Sequence, residues 1–455
     1  MIYNYHSLLL PAKEKQRLLA KGWLLLGIAS LLTAGLLSIL LVLSRTPYVD
    51  SFIPGVNFFH VALVVHVDLS VMIWFLAFAG AVWSLASEEK FILGAWTALI
   101  LAAIGSIIIA LSPFLGASHP LMNNYVPMLD DKIFIAGLII FFLGIGLQAL
   151  ISLFTIKIFI QGSRRINTLK YGAFLSSLIC ISSLGALILS YLLIPKEIEG
   201  LSYYEILFWG GGHLLQFVHT ALMLAAWLWL ASLINLDMRL SPIFANILLS
   251  IFLAAPVATP LIYLSTTVNS IEHIQYFTYL MTYAMGIQVL IPALFIIPAL
   301  ISNPKTQETQ AYRASLITSI ALIGAGGIIG FLIEGVNVTI PSHYHGAIVG
   351  VTLAFMGVTY SLLPEFKYEK PKMNIAAVQL YVYALGQLLH IIGLAWAGGY
   401  GVQRKVTGAQ QGLDTISKKL SMGVMGIGGM IAVIGGFLFL VIVLSAIFNN
   451  KRTTK

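Results

Sequence analysis

Ten histidines are the residues of this sequence that could hold a cofactor, because only one cysteine, Cys180, accompanies them. A single cysteine cannot form an intrachain disulfide, a CxxCH haem attachment or a thiolate cluster. Any bound metal or cofactor would therefore depend mainly on imidazole ligands. Eight of the ten histidines lie in long apolar segments, whereas His6 and His119 fall outside them.

Long apolar segments make up most of the chain. Hydrophobic residues account for 59% of the sequence and charged residues for 9%, whereas a soluble domain has about 25% charged residues. The composition excludes a soluble enzyme, a nucleic-acid-binding protein and a disordered chain. With about 20 apolar residues per crossing, the sequence predicts an all-α, polytopic membrane protein: a bundle of twelve transmembrane helices forming a single domain over residues 1–455. The predicted spans are 19–44, 57–86, 91–115, 132–158, 168–194, 204–235, 240–268, 272–302, 312–333, 337–364, 374–399 and 420–448.

Lysine and arginine predict the orientation of these spans. Of the 25 basic residues, 18 fall on the side of the membrane that holds both termini. Basic residues near span ends are retained on the cytoplasmic side, so both termini are predicted to be cytoplasmic. A basic face beside anionic lipid also explains the net charge of +8 without a nucleic-acid partner. The pattern fits a multi-pass protein of a bacterial inner membrane.

Five histidines, in predicted spans two, six, ten and eleven, share one predicted depth. Each lies 6 to 9 residues from the outer end of its span, which is about 9 to 14 Å below the outer interface. A single such histidine is as readily explained by a hydrogen bond inside the bundle, but five in one layer indicate a cofactor plane. Haem iron takes imidazole ligands without cysteine when the haem is not covalently attached, so two b-type haems would explain the layer. The five are His66, His213, His343, His345 and His390.

Helical spacing limits which of these residues can share a cofactor. His343 and His345 are two residues apart, about 200° round a helix, so they cannot ligate the same metal but can face two neighbouring cofactors. Asp68 has the same relation to His66 and is therefore not predicted to support that imidazole. No HExxH run is present, which makes a zinc site of that kind a poorer explanation.

Three segments resemble the catalytic subunit I of the haem-copper oxidases. They are His66 followed by VDLSVMIWFLAFAGAVW, then FWGGGHLLQF in span six, and SHYHGAIVGVTLAFMGVTYSLLP in span ten. The similarity extends over most of the chain. The resemblance implies that His66 and His345 are axial ligands of a low-spin haem and that His343 is the proximal ligand of a high-spin haem. It also implies that Arg404 and Lys405 pair with haem propionates.

The sequence departs from the family pattern at the copper site. The family uses one histidine in span six and an adjacent histidine pair in span seven, but only His213 is present here. Where the histidine pair would fall, the sequence has either Ala258 and Thr259 or Ser265 and Thr266, depending on register. Copper at His213 is therefore doubtful. Glu272 is the candidate carboxylate for a nitric-oxide-reductase-like site, and Tyr263 could substitute for the family's active-site tyrosine.

Several functions therefore stay open at the level of sequence. The first is a respiratory subunit like subunit I of cytochrome c oxidase, an oxidoreductase that passes electrons through a low-spin haem to a high-spin haem that reduces O2. The alternatives are a nitric oxide reductase, a copper-free haem subunit that transfers electrons or binds a gas, and a polytopic transporter. Without CxxCH or a paired-cysteine copper site, electrons are expected from another subunit or a cytochrome c-type carrier.

Overall fold

The computed structural model describes residues 13–45, 56–304, 306–406 and 408–449, and nearly all of them are helical. Two short strands, β1 (Pro120–Leu121) and β2 (Met128–Leu129), pair antiparallel in the loop before α5. The helices are α1 (Glu14–Arg45), α2 (Val56–Val67), α3 (Trp74–Ala86), α4 (Ile92–Leu111), α5 (Lys132–Thr155), α6 (Thr168–Leu193), α7 (Gly200–Leu233), α8 (Pro242–Ser250), α9 (Ala254–Ser265), α10 (Ile271–Ser302), α11 (Gln310–Gly330), α12 (Thr339–Glu365), α13 (Met373–Gly399) and α14 (Ile416–Asn449).

Twelve helical stretches of the described residues are long and apolar enough to cross a membrane. The predicted all-α class and the twelve spans are therefore confirmed. The observed bounds stay close to the predicted ones; the fifth span, for example, is Thr168–Leu193 against the predicted 168–194. The predicted single domain and the cytoplasmic position of the termini stay predictions.

Three spans of the described residues are not continuous α-helices, and the third of the twelve ends in a 3₁₀ helix, Ser112–Leu115. In the second span a π-helical segment, Asp68–Ile73, joins α2 to α3 and begins two residues after His66. Such π-turns are uncommon and concentrate at functional sites. In the seventh span a short 3₁₀ turn, Ile251–Leu253, separates α8 from α9.

The chain divides into two compact units. The first consists of the described parts of Met1–Ser30 and Val67–Asn303, and the second of Leu31–His66 and Pro304–Lys455. His213 therefore belongs to the first unit. The remaining predicted cofactor residues belong to the second, and they are His66, His343, His345, Arg404 and Lys405.

Glycines let the helices of each unit approach closely. In the first unit, a Cβ on Gly144 of α5 would lie 2.6 Å from the backbone nitrogen of Ala102 in α4. In the second unit, a Cβ on Gly346 of α12 would lie 2.6 Å from the Cα of Gly326 in α11. Small residues at such crossings are the usual means of packing membrane helices, since lipid provides no hydrophobic force between them. The small residues after His345 therefore serve helix packing.

We expect Gly346→Ala to destabilise the second unit, because the added methyl group has to displace the backbone of α11. Overpacking of this kind costs about 1–3 kcal/mol. Gly324→Ala is the matched control, since a Cβ there meets no atom within 4 Å. Thermal unfolding of both purified variants in one detergent checks the expectation. A midpoint for Gly346→Ala at or above that of Gly324→Ala would contradict it.

Candidate functional site

His66 lies near the end of α2 with one ring nitrogen held by α1. Its Nδ1 is 2.9 Å from the backbone oxygen of Ala34. A carbonyl oxygen can only accept a hydrogen bond, so Nδ1 carries the proton and donates it. The Nε2 atom then keeps its lone pair, which is the form in which a neutral histidine binds a metal.

His343 has the same arrangement in α12. Its Nδ1 lies 2.7 Å from the backbone oxygen of Gly326 in α11 and donates to it, which again leaves the Nε2 lone pair available. Gly330, one turn further along α11, makes room for the ring, because a Cβ there would lie 2.7 Å from the Nδ1 atom. The glycine-rich end of α11 therefore fixes both the tautomer and the position of His343.

His345 contacts a different helix from His343. Its ring packs edge-on against the ring of His390 in α13, with 5.1 Å between the ring centroids. The Nδ1 of His390 lies 3.0 Å from the backbone oxygen of Met425 in α14, so this imidazole has the same tautomer as His66. The two histidines of the SHYHG segment thus face α11 and α13, in agreement with their spacing.

The loop after α13 carries the two basic residues predicted to contact propionates. Arg404 and Lys405 are both half-buried, and Lys405 has a positive φ of 63°. His60, the other histidine of the second span, donates from Nε2 to the backbone oxygen of Lys405 at 3.2 Å. His60 therefore anchors this loop, a role that the sequence did not reveal.

His213 lies in α7 of the first unit, and protein groups hold both of its ring nitrogens. Its Nδ1 is 2.8 Å from the backbone oxygen of Trp209, one turn earlier, so Nδ1 is again the donor. Its Nε2 is 2.9 Å from the hydroxyl of Tyr125 and accepts the phenolic proton. The imidazole is only 1% exposed and is enclosed by the rings of Tyr125, Trp209 and Phe277.

The glycines of FWGGGH make this contact possible. A Cβ on Gly212 would overlap the ring of Tyr125, and a Cβ on Gly210 would lie 2.7 Å from the hydroxyl of Tyr263. Tyr125 comes from the loop between β1 and β2, which the carboxylate of Glu205 holds by accepting from the backbone N–H of Asn124 at 3.0 Å. Burial, and then the charge of Glu205, raises the pKa of the Tyr125 hydroxyl, which keeps it a donor to His213.

A second imidazole of this unit, His273, lies at the start of α10. Its Nδ1 is 2.9 Å from the hydroxyl of Thr266, which donates its own proton to the backbone oxygen of Ile262. The Nε2 atom of His273 is buried and has no hydrogen-bond partner in the described residues. The ring packs against Tyr263 and Phe277, and Phe277 also touches His213.

The other residues singled out at this site have structural contacts. Tyr263 donates to the backbone oxygen of Ala186 at 2.8 Å and contacts the hydroxyl of Ser190 at 2.7 Å. Thr259 hydrogen-bonds to its own helix at Ala255. Glu272 is exposed, so it presents no carboxylate to the buried imidazoles.

Asp68 has an unusual environment at the start of the π-helical segment. Its side chain is 1% exposed, and neither carboxyl oxygen has a hydrogen-bond partner among the residues that the structure describes. A buried carboxyl without a partner carries a free-energy cost of several kcal/mol, about 2–7 for a neutral polar group. No contact in the described residues explains why the chain keeps it there.

The residues present fit haem iron but not a copper site of the family's kind. His66 and His343 each offer an Nε2 lone pair with Nδ1 fixed by a carbonyl, which is the usual geometry of a metal-bound imidazole. His213 has no lone pair that is not already engaged by Tyr125. Among the described residues, no group of three or more His, Cys, Asp or Glu side chains is placed to hold a metal ion.

Comparisons with known proteins concern both the fold and the sequence of this chain. In the solved structure of a dimeric heme-copper terminal oxidase, one chain superposes with a TM-score of 0.73 at 14% identity, covering 96% of this chain and 84% of that one. At this identity the likeness concerns the fold.

Two relatives are similar in sequence. An uncharacterized protein of Rickettsia prowazekii (strain Madrid E) is 30% identical over 507 residues, covering 96% of this chain and 98% of the relative. An uncharacterized protein of Aquifex aeolicus (strain VF5) is 30% identical over 358 residues, covering 76% and 85%. The family model "Cytochrome C and Quinol oxidase polypeptide I" matches residues 19–438, which is nearly the whole chain. The chain therefore belongs to the family of polypeptide I of the cytochrome c and quinol oxidases.

Proposed function

We propose that the chain is the haem-bearing subunit of a respiratory electron-transfer complex in a bacterial inner membrane. His66 and His345 would hold a low-spin b-type haem, and His343 would hold a high-spin b-type haem. The observation that carries this assignment is the tautomer of His66 and His343, in which Nδ1 donates to a carbonyl of a neighbouring helix at 2.9 and 2.7 Å. Membership in an oxidase family supports it.

The protein's own groups orient the ligands. Each carbonyl that accepts from an Nδ1–H holds the ring plane and makes the Nε2 lone pair more basic. His390 packs edge-on against His345 and restricts its rotation. Arg404 and Lys405 offer positive charge to propionates from a loop that His60 anchors. When bound, the haems would supply one-electron redox chemistry and, at the high-spin iron, an open position for a diatomic gas.

The proposed reaction is oxidation of an electron donor with O2 as the acceptor at the high-spin haem. The sequence has no motif for covalent haem c and no paired-cysteine copper site, so the donor is a partner subunit or a cytochrome c-type carrier. A copper-free subunit that binds a gas or transfers electrons without reducing O2 to water is the second candidate function, and the hydrogen-bonded Nε2 of His213 is the observation in its support. The nitric oxide reductase alternative loses support because Glu272 is exposed.

Substitution of the ligands tests the haem assignment. We expect purified protein to contain two b-type haems by the pyridine haemochrome assay. His66→Ala and His345→Ala should each lose the low-spin signal in reduced-minus-oxidised spectra, because one axial ligand is removed. His343→Ala should lose the CO-difference signal. His119→Ala, an exposed histidine in the loop before α5, is the control. A wild-type protein without haem, or a CO signal that survives in His343→Ala, would overturn the proposal.

A glycine substitution tests whether α11 positions the high-spin ligand. In Gly330→Ala the new methyl group would press on the Nδ1 atom of His343. We therefore expect a shifted or weakened CO-difference spectrum with an unchanged low-spin spectrum. Gly327→Ala, three residues earlier on the same helix, has open space at its Cβ and should leave both spectra as in the wild type. Equal effects of the two variants would contradict the assignment.

A further inference from the structure

We propose that the hydroxyl of Tyr125 occupies the position on His213 that a copper ion would take, so that this chain works with haem iron and without copper. The inference rests on the proposed function in one respect, namely that haem is the chain's redox centre. It concerns the first unit only, and the residues that carry it are Tyr125, His213, Glu205 and His273.

The first step is that His213 has one lone pair and that this lone pair is already used. The backbone oxygen of Trp209 takes the proton on Nδ1, so Nε2 is the atom that could bind a metal. The hydroxyl of Tyr125 points its proton at that same atom from 2.9 Å. A metal ion and a hydrogen-bond donor cannot share a single lone pair. Copper binding would therefore require Tyr125 to leave.

The second step is that Tyr125 is fixed in place. On one side, the carboxylate of Glu205 accepts from both the backbone and the side-chain nitrogen of Asn124. On the other, the side chain of Asn123 accepts from the backbone N–H of Val126 at 3.0 Å. The β1–β2 pairing closes the same loop. Because Gly212 has no side chain, the ring of Tyr125 can pack directly on α7. The Tyr125 hydroxyl is therefore held next to His213 by the hydrogen bonds of its loop and by packing of its ring on α7.

The third step is that too few nitrogen ligands remain even if Tyr125 moves. A stable copper site of this type needs about three imidazole nitrogens. His273 could supply one from its unpartnered Nε2, but α8 and α9 contain no histidine. Two of the residues at the expected positions, Thr259 and Thr266, instead make hydrogen bonds to Ala255 and to His273. Two of the side chains at the positions where copper ligands would be needed are thus threonines engaged in hydrogen bonds.

Metal analysis of the haem-loaded protein tests the inference. The protein is purified from cells grown with added copper, incubated with Cu(I) under reducing conditions, and desalted. We expect less than a tenth of an equivalent of copper per chain by mass spectrometry, with the haem content unchanged. We also expect no infrared band of copper-bound CO after photolysis of the haem–CO complex. About one copper per chain that is lost in His213→Ala would overturn the inference while leaving the haem assignment intact. Absence of haem would overturn the proposed function. Copper binding at His213 is measured separately, so the two failures are distinguishable.

A second measurement tests the role of Tyr125 itself. Solid-state ¹⁵N NMR of histidine-labelled protein should show a His213 signal, identified by its loss in His213→Ala, with an unprotonated Nε2. In Tyr125→Phe the Nε2 resonance should move, because its hydrogen bond is removed while the ring packing is kept. Tyr204→Phe is the control, since that hydroxyl donates to Asp130 and not to His213. An unmoved resonance in Tyr125→Phe would overturn the inference.

Discussion

The hydrogen bond from an imidazole Nδ1–H to a backbone carbonyl is the interaction on which this structure depends. It recurs at His66, His343 and His390, each time with an oxygen of a neighbouring helix. In a bilayer most backbone carbonyls are occupied within their own helix, so an additional bond to an imidazole requires two helices at a defined separation and rotation. The helix packing therefore determines which nitrogen of each ring can act as a ligand.

His213 follows the same rule with a different outcome. Its Nδ1 donates to its own helix at Trp209, and the Nε2 left over meets the hydroxyl of Tyr125. The same tautomer therefore leaves a lone pair available for a ligand in one unit and a closed hydrogen bond in the other. The two cases differ because the loop before α5 places the hydroxyl of Tyr125 next to His213. The tautomer of the imidazole is the same in both.

The spans and the different directions of His343 and His345 could be predicted from the sequence because both depend on local patterns. Apolar length gives the twelve helices, and spacing places His343 and His345 toward different helices. The partners of the imidazoles could not be predicted. Tyr125 lies in a polar loop, far in sequence from His213, and no periodicity connects the two. His60 anchors a loop that begins more than three hundred residues later, which only the tertiary structure reveals. The copper-site departure was visible as missing histidines, but not as an occupied Nε2.

The π-helical segment Asp68–Ile73 makes the second span sensitive to a change of length next to His66. A π-turn holds one residue more than the α-turn it replaces, and one residue corresponds to about 100° of rotation. Deletion of one residue within the segment would therefore change the angular register of the helix by about 100° immediately after His66. This short segment is thus a place where a length change, not a substitution, would alter the site.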